Sequence, residues 1–525
     1  MAGSTQWILW SRDSDPVARR LSAAATMRRA LATPATPKST APDVEPRLEA
    51  PATSSAQPPP QPPAQPSAEP PGQPAEASGS AQQPHRGRRG RRAAKRAEDC
   101  RDPADINAVI DARFVDVVFQ PIVDAEYEQV VGFEALARGP LGPLNSPSHL
   151  FAAARAVGRA GEIDWICRSL AFQKFMDADL PASLSLFVNV EPDSLIEPCP
   201  EDLLPTVWEA ETRLRVFIDI PGRAMSRHPR EVVQTVRRAR AAVWGVSVDD
   251  TEYSSAGLSL LPLVEPDVVR LHHGLLHIGA LAAPTALSAA FSEVHYGDAT
   301  LLVENVEDPA GRRAGLGIGA TFQQGHLFGR EQPLPRSVRP PRRTIHLRDH
   351  AAASIESPFN LVREAVSDRV QFLDTEGLRT LSLALIQQAA NLNPVPVVAS
   401  VWGDHHHEVT SEQYAAYRML YERTPLGLLF GPDTRRYEDW NIYAADLPPG
   451  HPFASDTCVL LMSPAFSYVL SARELTDDPR GDQWAVALSQ DPAVCRLVMR
   501  TVLSAMDTVS GGALHEVDAP QLGVD

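Results

Sequence analysis

Between residues 104 and 332, eight short apolar runs bounded by turn residues alternate with stretches of helical spacing. The runs are VVFQPIVD (117–124), VVGFEAL (130–136), LSLFVNV (184–190), RVFIDI (215–220), GVSVDD (245–250), DVVRLH (267–272), TLLVENV (300–306) and TFQQG (321–325). Brief apolar runs of this kind read as strands buried on both faces, and their alternation with helices is the pattern of repeated βα units. A barrel or a doubly wound sheet follows, and eight strands match an eight-stranded α/β barrel of the TIM type.

The rest of the chain reads differently. Proline accounts for 48 of 525 residues, well above the usual ~5%, and 15 of these prolines fall in residues 34–84, which contain no aromatic residue. Such a segment cannot bury enough apolar surface to offset its ordering entropy, so residues 1–103 are expected to be disordered and Pro/Ala-rich. Within them, HRGRRGRRAAKR at 85–96 carries seven cations and no acid. It reads as a solvated basic hinge, with anionic lipid or nucleic acid as the alternative partner. A net charge of −16 and a pI near 5.4 argue against general nucleic-acid binding, which depends on cations displacing counterions from phosphates. Five cysteines at 100, 167, 199, 458 and 495 form no CxxC pair, so neither a disulfide scaffold nor a zinc ribbon is indicated. No apolar stretch reaches the length of a transmembrane span, and no secretory leader is evident. The expected location is the cytoplasm.

Polar and acidic residues recur at the carboxyl ends of the predicted strands: Glu134, Asn189, Asp219, Asp249 with Asp250, Glu304 and Gln324. In a parallel barrel these ends share one face, so the residues converge. Clustered carboxylates repel one another and need cations. Oxygen donors without histidine or cysteine select Mg²⁺, Mn²⁺ or Ca²⁺ over zinc, and an aspartate pair bridging two such ions is a standard arrangement for phosphodiester hydrolysis.

The stretch FQPIVDAEYEQVVGFEALARG, followed in order by FVNVEPDSL, VFIDIPGRAM, VDDTEYSSAGLSLLPLVEPDVVRLH, LLVENVED and QQGHLFGRE, resembles the EAL domain of bacterial cyclic di-GMP phosphodiesterases across roughly 104–332. The signature Glu134-Ala135-Leu136 is intact. The resemblance implies a modified (β/α)8 barrel that hydrolyses cyclic di-GMP to linear pGpG with two Mg²⁺ or Mn²⁺ ions and that pairs as a homodimer. It puts the first ion on Glu134, Asn189, Asp219 and Asp249, and the second on Asp249, Asp250 and Glu304. Gln324 would face the site, and Arg138 would grip a substrate phosphate, a role suited to a forked guanidinium.

Several positions depart from the family pattern. Asp219 stands for a glutamate, Arg270 for a catalytic lysine, His272 for an aspartate, Gly222 for a loop-bracing glutamate and Asn305 for a glycine, while the loop after the aspartate pair reads DDTEYSSAG. With Glu134, Arg270 and Glu304 as the catalytic set, the Lys-to-Arg change is not conservative, because arginine is planar and never deprotonates. The resemblance therefore implies a phosphodiesterase of reduced activity. The alternatives are a receptor that binds cyclic di-GMP without cleaving it and regulates a partner, and a scaffold that needs no nucleotide.

Residues 333–355, with four prolines and five arginines, read as a linker. A smaller α/β unit is expected from 356 to 506, with a tail from 507 to 525. Its predicted elements are helices at 375–392 and 411–423 and strands at 394–402, 426–430, 440–445 and 457–471. DTCVLLMSPAFSYVLSARE and WAVALSQDPAVCRLVMRTVLSAM resemble the DICT domain, which implies a sensory module whose signal the sequence does not identify. The run Asp404, His405, His406, His407, Glu408 reads as a solvated loop rather than a metal site. Trp402, Trp440 and Trp484 read as core residues rather than the lining of a ligand pocket.

Overall fold

The computed structural model describes residues 96, 100, 102–192, 195, 197–249, 255–276, 283–348, 355–403, 410–437, 442–475 and 483–509. Every described residue lies in the compact unit Arg96–Asp525. Asp250, the histidine run at 404–408, Trp440 and all of the basic run except Arg96 lie outside the described residues.

All eight predicted barrel strands form: β1 (Asp116–Asp124), β2 (Gln129–Arg138), β3 (Ser185–Asn189), β4 (Arg215–Pro221), β5 (Gly245–Asp249), β6 (Val268–His272), β7 (Thr300–Glu304) and β8 (Phe322–Gln324). They close into a barrel in sequence order. The modification of the expected (β/α)8 barrel lies in β1, which runs antiparallel to both β2 and β8 while β2 to β8 are mutually parallel. The cause is local. Only residues 125–128 separate β1 from β2, and a parallel crossover needs about a dozen residues or more.

Alternation along the strands separates the barrel's core from its site. Phe187, Phe217, Val268, Leu302 and Phe322 form an apolar layer with Ile122 and Val131. Two residues further along the same strands stand Asn189, Asp219, Arg270, Glu304 and Gln324. A period of two places both sets on the inward face at successive levels. The Phe187 and Phe217 rings stack with centroids 4.8 Å apart. Gly245 is required beside them, since a Cβ there would lie 2.3 Å from the Phe217 ring.

Residues 333–348 form no helix or strand, yet they are fastened to the barrel. Ile345 is fully buried within the apolar layer of Phe187 and Phe217, and its carbonyl accepts a hydrogen bond from Arg215. The Arg348 amide donates to Asp267 Oδ1 at 3.0 Å, and its guanidinium donates to the carbonyls of Glu265, Pro266 and Gly297. The Arg342 amide donates to Gln129 Oε1 at 2.9 Å, and Arg343 pairs with Glu126.

The carboxyl-terminal part is a seven-stranded mixed sheet in the order β12-β11-β10-β13-β14-β15-β9. Its strands are β9 (Gln371–Asp374), β10 (Val397–Trp402), β11 (Gly427–Gly431), β12 (Ile442–Asp446), β13 (Asp456–Ser463), β14 (Phe466–Glu474) and β15 (Gln483–Ser489). Its long helices are Thr375–Ala390, Ser411–Arg423 and Pro492–Val509. The single strand expected at 457–471 is a hairpin that turns at Pro464 and Ala465, where proline cannot continue a ladder. Trp402 and Trp484 are core residues as expected.

This sheet packs directly on barrel helices. Ser259, in the helix Ser255–Val264, donates to the Val395 carbonyl at 2.7 Å, and Ser292, in the helix Ala283–Tyr296, donates to the Pro464 carbonyl at 2.9 Å. Gln234 donates to the Tyr443 hydroxyl at 3.2 Å, and Arg230 lies over the Tyr443 ring. Glu293 Oε1 and Arg496 Nη2 form a buried ion pair at 2.7 Å between the helices Ala283–Tyr296 and Pro492–Val509.

Candidate functional site

Strands β2, β3, β4, β6, β7 and β8 bring Glu134, Asn189, Asp219, Arg270, Glu304 and Gln324 together, and Arg270 stands at the centre. Its side chain is 3% exposed. Nη1 pairs with Asp219 Oδ2, while Nη2 lies 2.8 Å from Glu134 Oε2, 3.0 Å from Glu304 Oε2 and 2.9 Å from Gln324 Oε1. One guanidinium thus holds three carboxylates and an amide, a reach its planar fork of donors makes feasible.

Around it the acids are differently served. Glu134 Oε1 accepts from Asn189 at 3.0 Å and Oε2 accepts from Gln324 at 2.7 Å. Burial alone would raise its pKa, but Arg270 and these amides outweigh burial and hold it below the ordinary glutamate value. Asp219 is served on one side only. It is 1% exposed, and its Oδ1 receives no hydrogen bond among the described residues, with the Ser247 hydroxyl beside it but outside bonding geometry. Burial, reinforced by repulsion from Asp249 and Glu134, pushes it up to about 8 despite Arg270. Burial, with the same kind of repulsion, pushes Glu304 up to about 7. Asp249 ends β5, and its buried Oδ1 also has no partner among the described residues.

Arg138 lies at the rim at the end of β2, where Nη2 is 3.3 Å from Glu331 Oε1 and Nη1 donates to the Ala137 carbonyl. Gln120, a site residue not expected from sequence, sits on the reversed β1 opposite Glu134 and accepts from Gln324 at 3.0 Å. Its signal was present in the FQPIVD run, where a glutamine interrupts a buried strand. Asn305 has φ +56°, a left-handed conformation that glycine adopts freely and asparagine tolerates.

The expected pair of metal ions does not fit this arrangement. Among the described residues no three His, Cys, Asp or Glu side chains are grouped to hold an ion, because Arg270 occupies oxygens of Glu134, Asp219 and Glu304 that both expected ligand sets require. Among the described residues two buried carboxylate oxygens of the site, Asp219 Oδ1 and Asp249 Oδ1, have no hydrogen-bond partner, and they are of the hard-oxygen kind that Mg²⁺, Mn²⁺ or Ca²⁺ prefers.

These titrations set a pH dependence for the metal-free protein. Asp219 and Glu304 have raised pKa values, so the folded state holds protons that the unfolded state releases above the ordinary carboxylate range. Their contribution to stability is complete below about pH 4 and is lost as pH rises through about 7 to 8. Glu134, shifted the other way, acts only at lower pH. Melting temperature in a chelator should fall by a few degrees between pH 6 and 9, and Asp219→Asn should flatten the upper part of that slope. A profile equally steep in that variant would contradict the assignment.

Comparison with known proteins finds similarity over the barrel segment. Residues 104–331 match the family model of the EAL domain. The probable cyclic di-GMP phosphodiesterase PdeI of Escherichia coli (strain K12) is 24% identical over 231 residues, covering 42% of this chain and 29% of that protein. The chain thus spans under a third of that curated relative. Among solved structures, the PaMucR phosphodiesterase in complex with c-di-GMP is 22% identical over 44% of this chain and 96% of that one, with a TM-score of 0.37. The Klebsiella pneumoniae BlrP1 manganese/cy-diGMP complex at pH 9.0 is 24% identical over 42% and 56% of the two chains, with a TM-score of 0.36.

Proposed function

We propose that the barrel is a cyclic di-GMP phosphodiesterase of reduced activity that opens the cyclic dinucleotide to linear pGpG. The observation that carries this reading is the convergence of Glu134, Asn189, Asp219, Asp249, Glu304 and Gln324 at one end of a closed barrel whose residues 104–331 match the EAL domain. A divalent ion on Asp219 and Asp249 would supply positive charge to activate water and steady a phosphate oxygen. Arg138, at the rim, is suited to a phosphate once released from Glu331. Asp250 is proposed to join the ligand set.

One observation favours a second reading. Arg270 already bonds three of the acids, and a barrel whose acids are satisfied internally can bind the dinucleotide and regulate a partner without cleaving it. Overnight incubation of the full chain with cyclic di-GMP and Mn²⁺ at equimolar protein, with the linear product followed by chromatography, separates the two. Product that vanishes in Glu134→Ala supports the enzyme. Its absence, with nucleotide still bound, supports the receptor. Absence of both binding and product leaves the scaffold.

The carboxyl-terminal sheet is proposed to be a DICT-like sensory module, with its signal unassigned, in a cytoplasmic bacterial signalling protein. No helix among the described residues is long and apolar enough to cross a membrane. The helix Ser255–Val264, which follows the altered loop, is buried from 257 to 262 and packs against β10 and β13 of its own chain. A homodimer of this chain would therefore use another face of the barrel.

A further inference from the structure

We infer that Arg270 is a resident cation, taking the place of one of the two metal ions that the carboxylate ring would otherwise require and leaving a single-ion site at Asp219 Oδ1 and Asp249 Oδ1. The inference rests on the reading of this ring as the phosphodiesterase site, and it concerns how the ring is neutralised rather than what it cleaves.

The argument starts from charge. Four described carboxylates, Glu134, Asp219, Asp249 and Glu304, meet one guanidinium at this end of the barrel. Acids brought together out of water need positive charge between them. Arg270 supplies it from inside, entering on β6 between the strands that carry Asp219 and Glu304. It contacts oxygens on β2, β4 and β7 at once. A lysine ammonium is a compact point charge without the planar fork, so it could not span three carboxylates in this way. Metal and guanidinium therefore compete for the same oxygens. Glu134 has both oxygens hydrogen-bonded, and Glu304 is held through Oε2. Asp219 differs, since Arg270 engages Oδ2 only and Oδ1, near the Ser247 hydroxyl, is buried without a hydrogen bond of good geometry among the described residues, as is Asp249 Oδ1 on the neighbouring strand. Those two oxygens mark where positive charge is still missing.

Mn²⁺ binding to the full chain without nucleotide tests this, with bound and free ion counted by electron paramagnetic resonance. One tight ion per chain is expected for the native protein, with loss of that ion in Asp249→Asn. Two are expected in Arg270→Ala, where the oxygens of Glu134, Asp219 and Glu304 are released. Should that variant fail to fold, Arg270→Lys keeps a charge yet gives up the three-way bridge, and it too should take two ions. Two ions or none in the native chain would overturn the inference, as would a count that stays at one in the folded variant. The assay contains no dinucleotide, so a chain that proves unable to cleave cyclic di-GMP would refute the enzymatic reading without touching the ion count.

Discussion

Arg496→Ala should lower stability by about 3–5 kcal/mol, the usual result of removing one partner from a buried ion pair. Arg496 and Glu293 have side chains 3% and 0% exposed and meet at 2.7 Å. Burial already raises the pKa of Glu293 despite its partner. Without Arg496 the carboxylate must either remain charged in an apolar setting or take up a proton, and both are costly. The Pro262 carbonyl, which accepts weakly from Arg496 at 3.4 Å, would lose that donor too. Replacing both residues with methionine should recover most of the loss, because the cost lies in the stranded charge rather than in the missing attraction. Urea unfolding of the two single variants and the double variant measures this. A double variant no more stable than Arg496→Ala would show that the pair contributes through packing instead.

Ile345→Ala should cost about 2–5 kcal/mol, the range for truncating a fully buried isoleucine. Ile345 is 0% exposed and packs with Ile122, Phe187, Phe217 and Leu302 inside the barrel. The cavity cannot readily collapse, because its walls are strands fixed by ladder hydrogen bonds. Ile345→Val should cost only about 0.5–1.5 kcal/mol. Equal and small losses in the two variants, measured by thermal unfolding, would mean that residues 333–348 merely lie across the barrel.

Sequence pattern revealed the eight strands because each is a short apolar run with turn residues on both sides, and the strand-end acids were visible because polar residues interrupt those runs at a fixed place. What pattern did not reveal depends on distance in three dimensions. The reversal of β1 could have been read from the short connection to β2. The four-residue strand β9, largely exposed, has too weak a periodicity to stand out. The tethering of 333–348 was hidden because prolines and arginines give a linker's composition to a segment in which Ile345 alone among its apolar residues is fully buried. At the site, Arg270 was legible as a substitution. That it would grip Glu134, Asp219 and Glu304 together was not, since those residues lie 136, 51 and 34 positions away and only barrel closure makes them neighbours.

The reach of Ile345 into the barrel also separates two boundaries that usually coincide. Similarity to the EAL domain ends at residue 331, whereas the apolar layer is completed fourteen residues later. A gene fragment cut where the similarity stops would encode a barrel with its floor missing and the Phe187–Phe217 stack opened to water. In this chain the barrel and its neighbour are not interchangeable parts joined by a neutral spacer; the spacer belongs to the barrel, and recombination that preserves the barrel must carry residues 332–348 with it.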